Sequence, residues 1–164
     1  MENLETYFAD SYISYDKDPH VIQLVQNAKN VLDVGCGDNL FKEYSHTGNF
    51  VGLDPFNKHA DIMCDILDFD SLTKFDLIIC FGSINFYNIA WVDARMKKVF
   101  SLLLDGGRIC MKVNPNQAFG NGVRLEWFDS WTLGLVNHYA QQFKCRVENY
   151  REAEHERFKW DYVT

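Results

Sequence analysis

The segment VLDVGCGDN, residues 31–39, combines an acid, two glycines and a cysteine directly after a short β-branched run. Gly35 and Gly37 can take backbone angles closed to other residues, and they let a ligand press against the main chain at the carboxyl end of a strand. Asp33 stands just before that turn, where its carboxylate could accept hydrogen bonds from a ligand's ammonium group, directly or through water. A G-x-G turn by itself is also common as a purely structural turn. Asp54 sharpens the reading, because it ends the next apolar run, FVGLD, about 20 residues on. At that distance a strand–helix–strand unit delivers an acid to the two hydroxyls of a ribose. Two features therefore point at one nucleoside. A dinucleotide fingerprint would also want a glycine where Leu40 stands, and a further substrate domain for which there is no room.

These residues need a parallel sheet to hold them. Asp18-Pro19 supplies a helix cap and a first-turn proline, and Val21, Ile22, Leu24, Val25 and Ala28 follow at helical spacing, so a first helix is expected to end near Asn30. The run from Val31 to Val34, halted by glycine, reads as a buried parallel strand. Further strands are expected over Phe50–Leu53, Asp61–Cys64, Phe75–Phe81 and Arg108–Val113, alternating with helical or loop material. Val92, Met96, Val99, Phe100 and Leu103 mark one face of a crossover helix, stopped by Asp105-Gly106-Gly107. Later, Leu133, Leu135, Val136, Tyr139, Ala140 and Phe143 suit a helix from near Asp129. Phe158, Trp160 and Tyr162 alternate as a half-exposed antiparallel strand, with Cys145–Tyr150 as its hairpin partner.

With these motifs in order from Val31 to Val113, the sequence resembles the class I (Rossmann-like) S-adenosylmethionine-dependent methyltransferase family. VLDVGCGDN is similar to the family's first motif, with Asn39 where a third glycine is usual. The resemblance implies that Asp33, Gly35, Cys36 and Gly37 wrap the methionine portion of S-adenosyl-L-methionine. FVGLDPF implies Asp54 on the ribose, with Pro55 and Phe56 beside the adenine. CDILDF implies Asp65 on the adenine amino group, with Ile66 offering backbone and packing. KFDLIICFGSINFY implies Phe81, Gly82 and Ser83 along the cofactor, and LLLDGGRICMKVN resembles the approach to the fifth strand. The implied fold is α/β, a three-layer sandwich with a seven-stranded, mostly parallel sheet of order 3-2-1-4-5-7-6 whose last strand is antiparallel. The implied activity is methyl transfer to a small-molecule acceptor. A non-catalytic cofactor-binding or regulatory subunit stays open beside it, as does another use of the cofactor such as aminopropyl transfer.

No catalytic base stands out. A sulfonium-borne methyl group is already electrophilic, so positioning alone can supply about 7–11 kcal/mol of barrier reduction. A hydroxyl or amine acceptor would also need its proton removed by a nearby His, Asp or Glu. His46, His59, His138 and His155 are scattered and share no ligand spacing with a cysteine or carboxylate, so no metal is expected. Acceptor contacts are expected from loops after the fourth and fifth strands, where Phe86, Tyr87, Arg124 and Trp127 stand. The loop sequence SINFY lacks the N-P-P-Y type motif of amino methyltransferases acting on DNA bases. Residues 1–18, with Tyr7, Phe8, Tyr12 and Tyr15, are a candidate lid, or else pack on the first helix.

Composition bounds the alternatives. The 164 residues, 47% of them hydrophobic, suit one domain spanning residues 1–164 with a real core. A net charge of −7 has the wrong sign for gripping a phosphate backbone, and the cluster Arg95, Lys97 and Lys98 reads as a solvated helix face. The five cysteines form no C-x-x-C pair and read as reduced core residues. Without a signal-like N-terminus or a long apolar run, a cytoplasmic location is expected, with no membrane partner.

Overall fold

Asp18 and Pro19 begin the first helix as their chemistry dictates. The Asp18 carboxylate accepts the N–H of His20 at 2.8 Å, and the proline occupies the first turn, where a missing N–H costs nothing. In the computed structural model, which describes residues 18–84, 88–113, 131–154 and 159–163, this is α1 (Pro19–Asn27). It ends three residues earlier than its spacing suggests, because Asp76 captures the N–H groups of Lys29 and Asn30 at 2.8 and 2.6 Å. That acid turns the chain from the helix into the sheet.

The strand β1 (Val31–Val34) is buried at every residue and lies between two parallel neighbours, β2 (Phe50–Leu53) and β3 (Phe75–Phe81). Outside β3 runs β4 (Leu103–Val113), also parallel, followed by an antiparallel pair, β5 (Tyr150–Glu154) and β6 (Lys159–Val163). The sheet order is β2-β1-β3-β4-β6-β5. The expected reversal of the last strand is present, and β6 stands between β4 and β5 as the predicted order has it.

Seven strands were expected, and the described residues form six. The difference lies at Asp61–Cys64, which makes one parallel bridge, Leu53↔Ile62, at the outer edge of β2. The N–H groups of Asp61 and Ile62 both donate to the Gly52 carbonyl, and the Asp61 carboxylate accepts the Gly52 N–H at 2.9 Å. Two residues thus crowd onto one partner. Cys64 then bonds back to the Ile62 carbonyl, and the chain curls away before a second ladder rung can form. The hairpin partner also moves, from Cys145–Tyr150 to Tyr150–Glu154, and β4 begins at Leu103. Asp105-Gly106-Gly107 therefore forms an irregularity within β4, where the register against β3 shifts, instead of the stop of a helix.

Strand side chains alternate between two apolar layers. Val31, Leu77, Ile79, Phe81 and Cys110 meet Val21 and Val25 of α1, and Ala28 just after it, on one face. Leu32, Val34, Ile78, Cys80, Met111 and Val113 meet two helices on the other. These are α2 (Ile89–Leu102), capped by Asn88 and buried through Val92, Met96, Val99 and Leu102, and α3 (Leu133–Gln142), capped by Thr132 and buried through Val136 and Tyr139. Leu102, not Leu103, completes the buried face of α2, since Leu103 already belongs to β4. Each large aliphatic side chain so buried contributes about 1.5–3 kcal/mol. The result is an α/β/α sandwich whose parallel strands all present their carboxyl ends at one edge.

Candidate functional site

Three loops leave the carboxyl ends of β1, β2 and β3, and local chemistry draws them together. After β1, Gly35 (φ +71°) and Gly37 (φ +52°) take left-handed backbone angles. The N–H groups of Gly35 and Cys36 both donate to the Leu53 carbonyl, at 2.7 and 2.9 Å, pinning the turn to the end of β2. Asn39 is also left-handed, at φ 59°. Asparagine tolerates that region better than most residues, which explains how it can stand where the resembled motif has a third glycine.

Asp54 locks the second loop to the first. Its Oδ2 accepts the Gly37 N–H at 3.1 Å, while Oδ1 accepts the N–H groups of Phe56 and Asn57, both at 2.9 Å, with Pro55 at the bend between them. Asn57 in turn donates to Asp38 at 3.1 Å. A carboxylate has about four acceptor sites, so Asp54 keeps room on Oδ2 for a further donor.

The third loop follows Phe81, whose ring is buried edge-on against Phe41, so that only its backbone is left for the site. Gly82 (φ +67°) donates its N–H to the Lys112 carbonyl at 2.8 Å. Ser83 then lies so near the first loop that a Cβ placed on Gly35 would stand 2.4 Å from Ser83 Cβ. The Ser83 hydroxyl oxygen is buried there without a hydrogen-bond partner among the described residues. Sequence reasoning missed what holds this loop. The buried indole N–H of Trp131 donates to the Ile84 carbonyl at 2.8 Å, across 47 positions of chain, and only an isolated tryptophan beside a helix cap could have hinted at it.

Asp33, on β1, is 3% exposed. Burial, and then the negative charge of Asp54, push its carboxyl up to about 8. Cys36 is half-buried, and its thiol is held well above the ordinary range by burial, and then by Asp33, Asp54 and Asp61, so it remains a thiol. The meeting point of the loops thus disfavours added negative charge and suits a cationic or hydroxyl-bearing ligand.

Asp65 stands beyond the edge bridge at Ile62, at the same end of the sheet. Its Oδ1 caps the 3-10 helix Ile66–Asp68 by accepting the Leu67 N–H at 2.9 Å, and its Oδ2 meets the Arg95 guanidinium at 2.6 Å. Ile66 is buried in the core, which leaves its backbone for any ligand. The basic cluster is paired throughout, Arg95 with Asp65, Lys97 with Asp93 and Lys98 with Asp70. Among the described residues no group of three His, Cys, Asp or Glu gathers for a metal, and no helix is long and apolar enough to cross a membrane. Phe86, Tyr87, Arg124 and Trp127, together with the 1–17 segment and His155, lie outside the described residues.

No known protein-family profile matches the sequence, and no curated protein matches it either. Solved structures do match in three dimensions. The chain is similar to the 1,6-didemethyltoxoflavin-N1-methyltransferase of Burkholderia thailandensis, solved with 1,6-didemethyltoxoflavin and S-adenosylhomocysteine (TM-score 0.73, 13% identity, 98% of this chain and 85% of that one). It is similar also to the N-methyltransferase NodS of Bradyrhizobium japonicum (TM-score 0.70, 12% identity, 91% and 97%). A third likeness is to a S-adenosylmethionine-dependent methyltransferase of Clostridium acetobutylicum (TM-score 0.62, 16% identity, 98% and 98%). The chain has the class I methyltransferase fold.

Proposed function

We propose that this protein binds S-adenosyl-L-methionine in the hollow between its first three carboxyl-end loops and transfers the methyl group to a small-molecule acceptor. The observation that carries the reading is the convergence of Gly35, Gly37, Asp54 and Ser83. Two left-handed glycines open the main chain, one of them bonded to a carboxylate and the other seated against a serine whose buried hydroxyl has no hydrogen-bond partner among the described residues. The fold supports it, as do neighbours solved with the demethylated cofactor, and the Burkholderia enzyme was solved with 1,6-didemethyltoxoflavin bound as well as S-adenosylhomocysteine.

When bound, the cofactor supplies an electrophilic methyl group on a sulfonium. The protein's part is positioning. Asp33 takes the ammonium of the methionine portion, with the main chain of Gly35, Cys36 and Gly37 against it. Asp54 accepts from a ribose hydroxyl through the free site on Oδ2. Asp65 and the backbone of Ile66, with Pro55 nearby, border the adenine, while Gly82 and Ser83 close the side nearest the sulfur. Phe86, Tyr87, Arg124 and Trp127 are assigned to the acceptor in this reading. We place the protein in the cytoplasm and treat residues 1–164 as one domain.

Thermal denaturation with and without S-adenosylmethionine and S-adenosylhomocysteine tests binding, since a ligand of the native state raises its stability by mass action. A rise in Tm with both is expected, and none in a folded sample removes the proposal. Formation of S-adenosylhomocysteine in the presence of a metabolite library then tests transfer; binding without any turnover identifies a non-catalytic binder.

A further inference from the structure

We infer that Arg95 is a positioning residue for nucleobase selection: it holds the Asp65 carboxylate so that its open edge accepts the amino group of adenine and rejects a base with a carbonyl in that place. The inference rests on the cofactor reading above.

Among the described residues Asp65 is a carboxylate with two fixed neighbours. The Leu67 N–H takes one site on Oδ1 at 2.9 Å, and the Arg95 guanidinium takes one on Oδ2 at 2.6 Å. The sites that remain can only accept, so a donor amino group is attracted and a carbonyl oxygen repelled. Discrimination requires that the carboxylate plane not rotate to suit either base. Arg95 supplies that constraint because it is itself immobilised: its guanidinium lies 3.5 Å above the Trp91 ring centroid, and its side chain is only 11% exposed.

The neighbouring pairs show what an ordinary surface contact looks like on the same helix. Lys97 reaches Asp93 with 57% of its side chain exposed, and Lys98 reaches an Asp70 that is 96% exposed. Neither has an aromatic floor among the described contacts, and such pairs hold little in place. The Arg95 pair differs in burial, in stacking, and in gripping an acid that also caps a 3-10 helix at the carboxyl edge of the sheet.

The test measures Kd by calorimetry on the full chain for S-adenosylhomocysteine and S-inosylhomocysteine, which replaces the amino group with a carbonyl. Wild type should prefer the adenine ligand by about tenfold or more, the worth of one hydrogen bond to a charged group. Arg95→Gln should reduce the preference to about threefold or less, Arg95→Lys should fall between, and Lys98→Gln should leave it unchanged. An Arg95→Gln protein that retains the full preference overturns the inference. So does a wild type that binds both ligands equally, although the cofactor reading then stands. A folded wild type that binds neither removes both. Should Arg95→Gln not fold, Arg95→Lys decides, because it keeps the charge and loses the planar stack.

Discussion

Gly35 and Ser83 touch so closely that one added carbon would place Cβ atoms 2.4 Å apart, which makes this pair the joint between the first and third loops. Gly37, two residues on, has nothing within 4 Å of the same added carbon. Their substitution should therefore separate strain from steric exclusion. Gly37→Ala should cost only the left-handed backbone penalty, about 1–2 kcal/mol. Gly35→Ala should cost more in urea unfolding, and should also weaken S-adenosylhomocysteine at least tenfold by driving the Ser83 loop outward. Equal losses for the two variants would show that the joint has no bearing on the ligand.

Asp54 serves three main-chain donors before any ligand arrives. Asp54→Ala should therefore lower stability by about 1–3 kcal/mol, because the N–H groups of Gly37, Phe56 and Asn57 lose their acceptor. It should also abolish most cofactor affinity in the protein that still folds. Asp54→Asn, which retains one acceptor oxygen, should be milder on both counts. An unchanged Kd in folded Asp54→Ala would reject the ribose assignment.

The Asp33 carboxyl, raised from 3.8 to about 8 by burial and then by Asp54, links both folding and binding to pH. Between those values the folded protein holds a proton that the unfolded chain has released. This group's contribution is therefore most favourable to folding in acid, falls by up to about 1.4 kcal/mol per pH unit as pH rises, and levels off above the folded value. A ligand ammonium needs the ionised form, so S-adenosylhomocysteine should bind more tightly from pH 6 to about 8 and release a proton on binding. Calorimetry in buffers of different ionisation enthalpy measures that proton. Asp33→Asn should lose both dependences; if it keeps them, another group is responsible.

Trp131 donates its buried indole N–H to Ile84 at 2.8 Å. Trp131→Phe keeps an aromatic ring in the core but orphans that carbonyl, so unfolding should become easier by about 1–3 kcal/mol. Tyr139→Phe, in ring contact with Trp131 at 5.6 Å, gives a comparison for simple repacking. Matching losses would mean that the hydrogen bond itself adds nothing.

What could be read from the sequence was whatever depends on a residue's own backbone and the burial of its face. Gly35 and Gly37 declare their turn because few other residues adopt their angles, Asp18-Pro19 declares a helix start, and the apolar runs at Val31, Phe50 and Phe75 declare buried strands. The place of Asp54 after β2, beside the glycine turn, was legible by spacing, since the chain between neighbouring parallel strands has a nearly constant length. Tertiary structure alone decided how acids divide among partners from separate elements. Asp61 stitches Gly52 instead of entering a strand, Asp65 meets Arg95 across 30 positions, and Asp76 ends α1 from the strand that pairs with β1. Periodicity records which face of an element is buried. It carries no record of which polar atom on another element stands within hydrogen-bond reach, because that distance is set only when the layers pack.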